Sequence, residues 1–143
     1  MKTLVIDASV AAKWFFTEDD SLAARRLFSP RRRLIAPELI GVELANVIWK
    51  RVQREELDSE KAGEIFADFQ QVSVQSLEIV SSGPNLPTAL SLALVTGRTV
   101  YDCLYLSLAM SQQTKLITAD KRFAKVLSGS PFSKYVRLLA REP

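Results

Sequence analysis

The N-terminal segment of the chain is a short apolar run that ends abruptly in a carboxylate. Leu4, Val5 and Ile6 are followed directly by Asp7. An apolar run without polar alternation is typical of a strand buried on both faces of a parallel sheet. The carboxyl ends of such strands form the ligand-binding edge of an open α/β sheet, so Asp7 is well placed to hold a metal ion or orient a substrate. The alternative is that Asp7 only caps the helix that follows it.

The same pattern recurs at residues 115–120, where an apolar run ends in Thr118 and Asp120 before the helix-forming residues 121–127. Three further apolar runs predict strands at residues 34–36, 77–80 and 135–139. Helical spacing of apolar residues predicts helices at residues 10–16, 21–28, 38–53, 86–95 and 99–109, with another beginning at residue 58. This alternation predicts an α/β fold in which a parallel sheet has helices on both sides.

Length and composition predict one globular domain over residues 1–143. Hydrophobic residues make up 48% of the chain and charged residues 24%, which are values typical of globular proteins. No apolar run approaches the ~18 residues needed to cross a bilayer, so we expect a cytoplasmic chain without a membrane segment. Cys103 is the only cysteine, which excludes an intrachain disulfide.

The chain contains no histidine. This removes the commonest general base, the commonest transition-metal ligand and every nucleophile that depends on an imidazole. Carboxylate and hydroxyl oxygens suit hard cations such as Mg²⁺ or Mn²⁺ and do not favour a structural zinc site. The formal net charge of +3 permits a polyanionic partner without requiring one.

A carboxylate interrupts the apolar stripe of the longest predicted helix. Glu43 and Asn46 are three residues apart and therefore share one face, while Leu39 and Val47 lie four residues to either side of Glu43. Glu43 is therefore directed toward the apolar side of the helix. The alternative is a surface glutamate whose stem covers apolar residues.

A further acid, Asp102, lies in the first turn of the predicted helix 99–109, where it stabilises the helix terminus or contributes to a site. In a parallel α/β fold, Asp7, Asp102 and Asp120 belong to the same edge, and Glu43 reaches it from its helix. Carboxylates brought together without cations repel one another strongly. The cluster is therefore expected to bind a divalent metal.

Four segments together resemble the PIN-domain family, and most of all its VapC-type toxin ribonucleases from prokaryotic toxin-antitoxin pairs. The matching segments are Val5-Ile6-Asp7-Ala8-Ser9, Pro37-Glu38 through Glu43-x-x-Asn46, Tyr101-Asp102-x-x-Tyr105-Leu106 with Ala109, and Leu116-Ile117-Thr118-Ala119-Asp120. The resemblance extends over nearly the whole chain. It implies a PIN-like fold with a five-stranded parallel sheet, a Mg²⁺- or Mn²⁺-dependent endoribonuclease, and a homodimer whose groove is blocked by a cognate VapB-type antitoxin.

The resemblance also implies that Asp7, Glu43, Asp102 and Asp120 form the catalytic acidic cluster. Asp7 and Asp120 are expected to contact the metal directly or through water, with Asp102 completing the set. Glu43 is expected either to bind metal or to orient the attacking water. Supporting hydrogen bonds are expected from Ser9, Asn46 and Thr118, for which ordinary capping is the alternative.

Basic residues near the expected edge are candidates for contacts with the RNA backbone. They are Arg31, Arg32, Arg33, Lys121, Arg122 and Lys125. The alternative is that the run at 31–33 is only a solvated charged face.

Competing functions are constrained by the same residues. Ser9 stands where a haloacid dehalogenase-like phosphatase requires a second aspartate, and no phosphoacceptor aspartate follows the predicted strand 77–80, as a receiver domain requires. The five glycines are scattered, so no glycine-rich phosphate loop exists. Two alternatives to a nuclease toxin remain: a non-catalytic PIN-like interaction module and a housekeeping PIN nuclease.

Overall fold

The sheet of the computed structural model has five parallel strands, and the structure describes all of residues 1–143. The strands are β1 (Lys2–Ile6), β2 (Arg32–Pro37), β3 (Leu77–Val80), β4 (Lys115–Thr118) and β5 (Val136–Leu138). They are arranged in the order β3-β2-β1-β4-β5, with every neighbouring pair parallel. The predicted five-stranded parallel sheet is therefore confirmed, although the last strand is shorter than expected.

Seven α-helices connect and cover the strands. They are α1 (Ala8–Phe15), α2 (Ser21–Arg25), α3 (Leu39–Gln53), α4 (Ser59–Gln75), α5 (Leu86–Thr96), α6 (Val100–Ser111) and α7 (Lys121–Leu127). Parallel strands joined by crossovers are connected with one hand, so reversing the direction of travel across the sheet moves the helices to its other face. The chain goes from β1 outward to β3 and then returns to β4 on the other side of β1. Helices therefore cover both faces, and the topological switch lies between β1 and β4.

The central strands are fully buried, as their uninterrupted apolar runs predicted. Residues 4–6 have no exposed surface, and Leu116 and Ile117 have none either. The register pairs Ile6 with Ile117. Because the two strands run parallel and in step, the residues that follow them emerge side by side at one edge, here termed the carboxyl edge.

Helix α6 lies in the core rather than on its surface. Every residue from Cys103 to Ala109 is buried, and the helix contacts β1, β2, β4 and α5. Such a helix has no solvent-facing stripe, which explains why its sequence is apolar on all sides. The one acid of α6, Asp102, is confined to the first turn, where the helix reaches the carboxyl edge.

The aromatic residues after β1 are divided between core and surface. Trp14 is buried, and its indole nitrogen donates a hydrogen bond of 2.9 Å to the Ala24 carbonyl. Phe15 is partly buried and packs edge-on against Phe69. Trp49, by contrast, remains 55% exposed on α3.

The C-terminus is held to the first strands by a buried acid. The Glu142 side chain is only 1% exposed and lies 2.7 Å from Arg137, 3.0 Å from Lys2 and 3.4 Å from Arg32. Burial by itself raises the pKa of Glu142, but the hydrogen bonds from Arg137 and Lys2 outweigh it and hold the pKa below its usual range. None of the helices in the fold has the length and apolar character that a membrane span requires.

Candidate active site

Asp7 both caps a helix and belongs to the carboxyl edge. Its Oδ1 accepts hydrogen bonds from the Val10 backbone N–H at 3.1 Å and from the Ser9 hydroxyl at 2.6 Å. Capping and site membership, which the sequence offered as alternatives, therefore coexist. Burial raises the pKa of Asp7 to about 6, and the negative charge of Glu43 acts in the same direction.

Hydroxyl groups join the loops that follow β1 and β4. Ser9 Oγ lies 3.5 Å from Thr118 Oγ1 and accepts a 3.0 Å hydrogen bond from the Ala119 backbone N–H. Thr118 Oγ1 in turn accepts a 3.0 Å hydrogen bond from the Asp120 N–H. These contacts fix the position of Asp120 relative to Asp7.

Asp120 and Asp102 have different roles at their helices. Asp120 caps α7, with Oδ1 accepting a 3.0 Å hydrogen bond from the Phe123 N–H. The cap of α6 is Thr99, whose hydroxyl accepts a 3.1 Å hydrogen bond from the Asp102 N–H. The Asp102 carboxylate is thus not used as a cap and is free to enter the site, where Arg98 donates to it.

Glu43 reaches the site from α3 and meets α6. The Tyr105 hydroxyl donates a 2.6 Å hydrogen bond to Glu43 Oε1. Burial raises the pKa of Glu43, and the nearby charge of Asp102 raises it further. The pKa of Tyr105 is raised well above its ordinary value by burial and by Glu43, so the phenol remains a donor. Tyr105 follows Asp102 by three residues, and that helical spacing was the available signal for its place in the site.

One cavity of about 540 Å³, here termed the site cavity, unites the predicted acids. Its polar lining comprises Asp7, Ser9, Glu43, Asn46, Lys50, Tyr101, Asp102, Tyr105 and Asp120. Asn46 is exposed on the wall of this cavity, one helical turn before Lys50. Thr118 is fully buried behind it. All of the predicted acids therefore line one concave surface.

Arg98 is the cation closest to this acidic cluster. Its Nη2 lies 2.8 Å from Asp102 Oδ2 and 3.5 Å from Asp120 Oδ2. Sequence reasoning missed this residue, because nothing in the chain relates position 98 to position 120. The signal available was only the four-residue spacing of Arg98 and Asp102.

The donor set fits a hard divalent cation. It offers carboxylate and hydroxyl oxygens with no competing sulfur or imidazole, and two of the acids have pKa values raised in part by neighbouring acids. No three acids stand close enough together to enclose a single ion. Mg²⁺ does not need such an enclosure, because it is usually held by one or two carboxylates and keeps several waters.

The predicted basic residues divide between the two ends of the sheet. Arg32 and Arg33 pair in register with Lys2 and Thr3, so they lie at the amino end of the strands, away from the carboxyl edge. The expectation that the run at 31–33 borders the acids is therefore wrong as to location. Arg33 is also bound to Glu78 through two hydrogen bonds of 2.7 and 2.8 Å.

The other basic candidates begin α7, directly after Asp120. Lys121 and Lys125 line a second cavity of about 440 Å³, together with Arg137 and Arg141. No acidic residue lines this second cavity, here termed the basic groove. Arg122 is exposed beside it.

Comparison with known proteins identifies the family to which this chain is similar. The model of the PIN domain matches residues 4–127. Ribonuclease VapC3 from Pyrobaculum aerophilum is 34% identical over 122 residues, which cover 85% of this chain and 92% of that protein.

Solved structures share the fold at low sequence identity. PAE2754 from Pyrobaculum aerophilum superposes with a TM-score of 0.70 at 23% identity, over 97% of this chain and 90% of that one. VapBC2 from Rickettsia felis, solved with a fragment of its promoter DNA, superposes with a TM-score of 0.65 at 14% identity, over 95% of this chain and 98% of that one. VapC20 from Mycobacterium tuberculosis, a toxin that cleaves the sarcin-ricin loop, superposes with a TM-score of 0.65 at 11% identity, over 85% of this chain and 93% of that one. Because the PIN-domain model covers most of the chain and Ribonuclease VapC3 is 34% identical to it, the chain belongs to the PIN-domain family.

Proposed function

We propose that this protein is a Mg²⁺- or Mn²⁺-dependent endoribonuclease and the toxin component of a type II toxin-antitoxin system. The observation that carries the proposal is the convergence of Asp7, Glu43, Asp102 and Asp120 on one cavity. The 34% identity to Ribonuclease VapC3 over most of both chains supports an RNA substrate and the toxin role.

Asp7, Asp102 and Asp120 would hold the metal, either directly or through its bound waters, since their carboxylates line one cavity at the ends of β1 and β4 and at the start of α6. When bound, a divalent ion supplies an activated water for in-line attack on the phosphodiester and stabilises the leaving oxygen. The hydrogen bonds among Ser9, Thr118 and Ala119 hold the two loops that carry Asp7 and Asp120. These side chains are thereby positioned before substrate binds.

Glu43 is the candidate to accept a proton from the attacking water. Its pKa is raised by burial, which makes the carboxylate a stronger base than an exposed glutamate. Tyr105 occupies Oε1 through its hydroxyl and so fixes the orientation of the group. The second carboxylate oxygen, Oε2, is then left for the water or the metal, and Asn46 lies on the same helical face to assist.

The basic groove is the proposed track for the RNA backbone. It starts one residue after Asp120, and no acid is among its lining residues, which include Lys121, Lys125 and Arg141. Its fourth cation, Arg137, is paired with Glu142. Single-stranded RNA is bound without sequence preference by such positively charged grooves. Arg122 adds a further charge at this end. RNA contact by Arg31, Arg32 and Arg33 stays a prediction, which their distance from the acids does not favour.

The proposed protein partner is a VapB-type antitoxin, and the proposed assembly is a homodimer. Structural relatives include a toxin-antitoxin complex from Klebsiella pneumoniae, at a TM-score of 0.62, and VapBC2 of Rickettsia felis, at 0.65. The surface also offers exposed apolar residues for contacts, among them Leu90 and Leu94 on α5 and Trp49 on α3.

The test of the nuclease is cleavage of a mixed pool of structured RNAs by the purified protein. The reaction is run with Mg²⁺ or Mn²⁺, with excess chelator, and with Asp7→Asn beside wild type. Asp58→Asn is the matched control, because Asp58 also caps a helix, accepting a 2.7 Å hydrogen bond from the Lys61 N–H, but lies outside the site cavity. We expect metal-dependent cutting by wild type and by the Asp58 variant only.

Absence of cutting by folded, antitoxin-free protein would favour the non-catalytic PIN-like module instead. Expression in a host cell separates the toxin from a housekeeping nuclease. Growth arrest that Asp7→Asn or Asp120→Asn relieves supports the toxin. Metal-dependent cleavage without growth arrest would support the housekeeping nuclease.

A further inference from the structure

Arg98 connects two acids that belong to different parts of the fold. It lies in the short loop between α5 and α6, directly after Gly97, which closes α5 with a left-handed φ of 75°. From there a single nitrogen, Nη2, approaches Asp102 Oδ2 to 2.8 Å and Asp120 Oδ2 to 3.5 Å. The guanidinium also lies over the Phe123 ring, 5.2 Å from its centroid. The side chain is only 20% exposed.

The contacts of Arg98 differ from the usual pairing of an arginine with a single carboxylate. A guanidinium frequently binds one carboxylate through two parallel bonds, as Arg33 does with Glu78. Here one nitrogen is shared between two acids, and Nε is buried without any hydrogen-bond partner. An unsatisfied buried donor is unfavourable. Both side-chain hydrogen bonds of Arg98 go to carboxylates, so the two negative charges determine where the guanidinium lies.

The two acids that Arg98 bridges are two of the three that would hold the metal. A guanidinium and a divalent cation cannot neutralise the same carboxylate oxygens at once, because both are positive and both need the space beside Oδ2. We propose that Arg98 is an internal counter-ion that competes with the divalent cation for Asp102 and Asp120. The inference rests on the proposed metal dependence, but not on RNA being the substrate.

Two consequences follow for the metal-free protein. Arg98 holds Asp102 and Asp120 near each other when no metal opposes their repulsion, so it acts as a positioning residue. It also lowers the affinity for metal, because the ion has to displace it. A unit charge and a divalent ion a few ångströms apart repel each other enough, even in a water-like dielectric, to change affinity about tenfold.

The experiment measures Mn²⁺ binding by calorimetry, without RNA, for wild type and for Arg98→Met. Methionine keeps an apolar stem against Phe123 but carries no charge. Arg98→Gln is measured in parallel, because its amide can still donate to one acid if the methionine variant does not fold. Arg25→Met is the control for net charge, since Arg25 is exposed and its side chain makes no hydrogen bond or ion pair.

We expect both Arg98 variants to bind Mn²⁺ about tenfold more tightly than wild type, and Arg25→Met to bind as wild type does. We also expect the Arg98 variants to melt at a lower temperature than wild type in chelator, with the difference closing when Mn²⁺ is saturating. A merely structural arginine would leave the same melting difference in both conditions.

Equal or weaker Mn²⁺ binding by the Arg98 variants would overturn the inference, and so would binding to neither wild type nor variant. Equal tightening by Arg25→Met would also overturn it, because the effect would then be one of net charge. Tighter metal binding without any RNA cleavage by wild type would leave the counter-ion role standing and reject the nuclease proposal.

Discussion

Replacing Asp7 with asparagine is expected to stabilise the metal-free protein at neutral pH. Asp7 directly follows the end of β1, and burial raises its pKa from 3.8 to about 6. Asparagine retains the Oδ1 acceptor for the Ser9 hydroxyl and the Val10 N–H and is an equally good helix cap. The substitution therefore removes the buried charge while leaving the local hydrogen bonds in place.

The sign and the size of this effect follow from proton linkage. Between about pH 4 and pH 6 the folded protein binds a proton at Asp7 more tightly than the unfolded chain does, so stability falls as the pH rises through this window. Two pKa units correspond to about 3 kcal/mol in the free energy of unfolding. Because Asp7 retains some solvent contact, we expect about 2 kcal/mol.

The assay is urea unfolding of wild type and Asp7→Asn in chelator at pH 4 and pH 7. We expect the variant to be more stable by about 2 kcal/mol at pH 7 and equal to wild type at pH 4. The acid Glu43 is present in both proteins, so its own titration contributes little to the difference. Asp58→Asn, the same change at the exposed cap of α4, should show no such gain.

Equal stability of wild type and Asp7→Asn at pH 7 would refute the reasoning. A gain of the same size at pH 4 would refute it as well, since the cause would then not be the charge. Loss of cleavage together with a gain in stability is the expected signature of a charge kept for function.

Three further perturbations test other parts of the fold. Tyr105→Phe removes the 2.6 Å hydrogen bond to Glu43 and is expected to lower the free energy of unfolding by about 1–3 kcal/mol in urea; an unchanged midpoint would contradict a structural role for this bond. Glu142→Gln removes the buried negative charge that three cations share and is expected to lower the free energy of unfolding by about 2 kcal/mol. Because the pKa of Glu142 is lowered, wild type should lose this contribution as the pH falls through that pKa, whereas the variant should show no such loss. Changing Lys121 and Lys125 together to glutamine should weaken RNA binding and reduce the slope of log affinity against log salt by about 1.4; an unchanged slope would exclude the basic groove.

The error over the basic run has a simple physical origin. Arg32 and Arg33 belong to the beginning of β2, and the beginnings of parallel strands lie at the edge opposite to their ends. Charge density along the chain suggested a site, but the direction of the strand determined which end of the sheet received it. By the same rule, Lys121 and Lys125 lie near the carboxyl edge, because they follow β4.

The sequence by itself determined the order of strands and helices, since these depend on neighbours within a few positions. The apolar runs at 4–6 and 115–118 predicted buried parallel strands, and each predicted acid lies on the site cavity. Acids that follow parallel strands must emerge at a common edge, so the order of residues along the chain is enough to imply their proximity.

Only the tertiary structure decided which partners each acid meets. Glu43 and Tyr105 are 62 residues apart in sequence, and Arg98 reaches Asp120 across 22 residues. No local pattern encodes such pairs, because they arise where α3, α6 and the α5–α6 loop meet over the switch between β1 and β4. Burial at that point, which raises the pKa of Asp7 and leaves Arg98 bridging two carboxylates, is a property of the packed fold and not of any single segment.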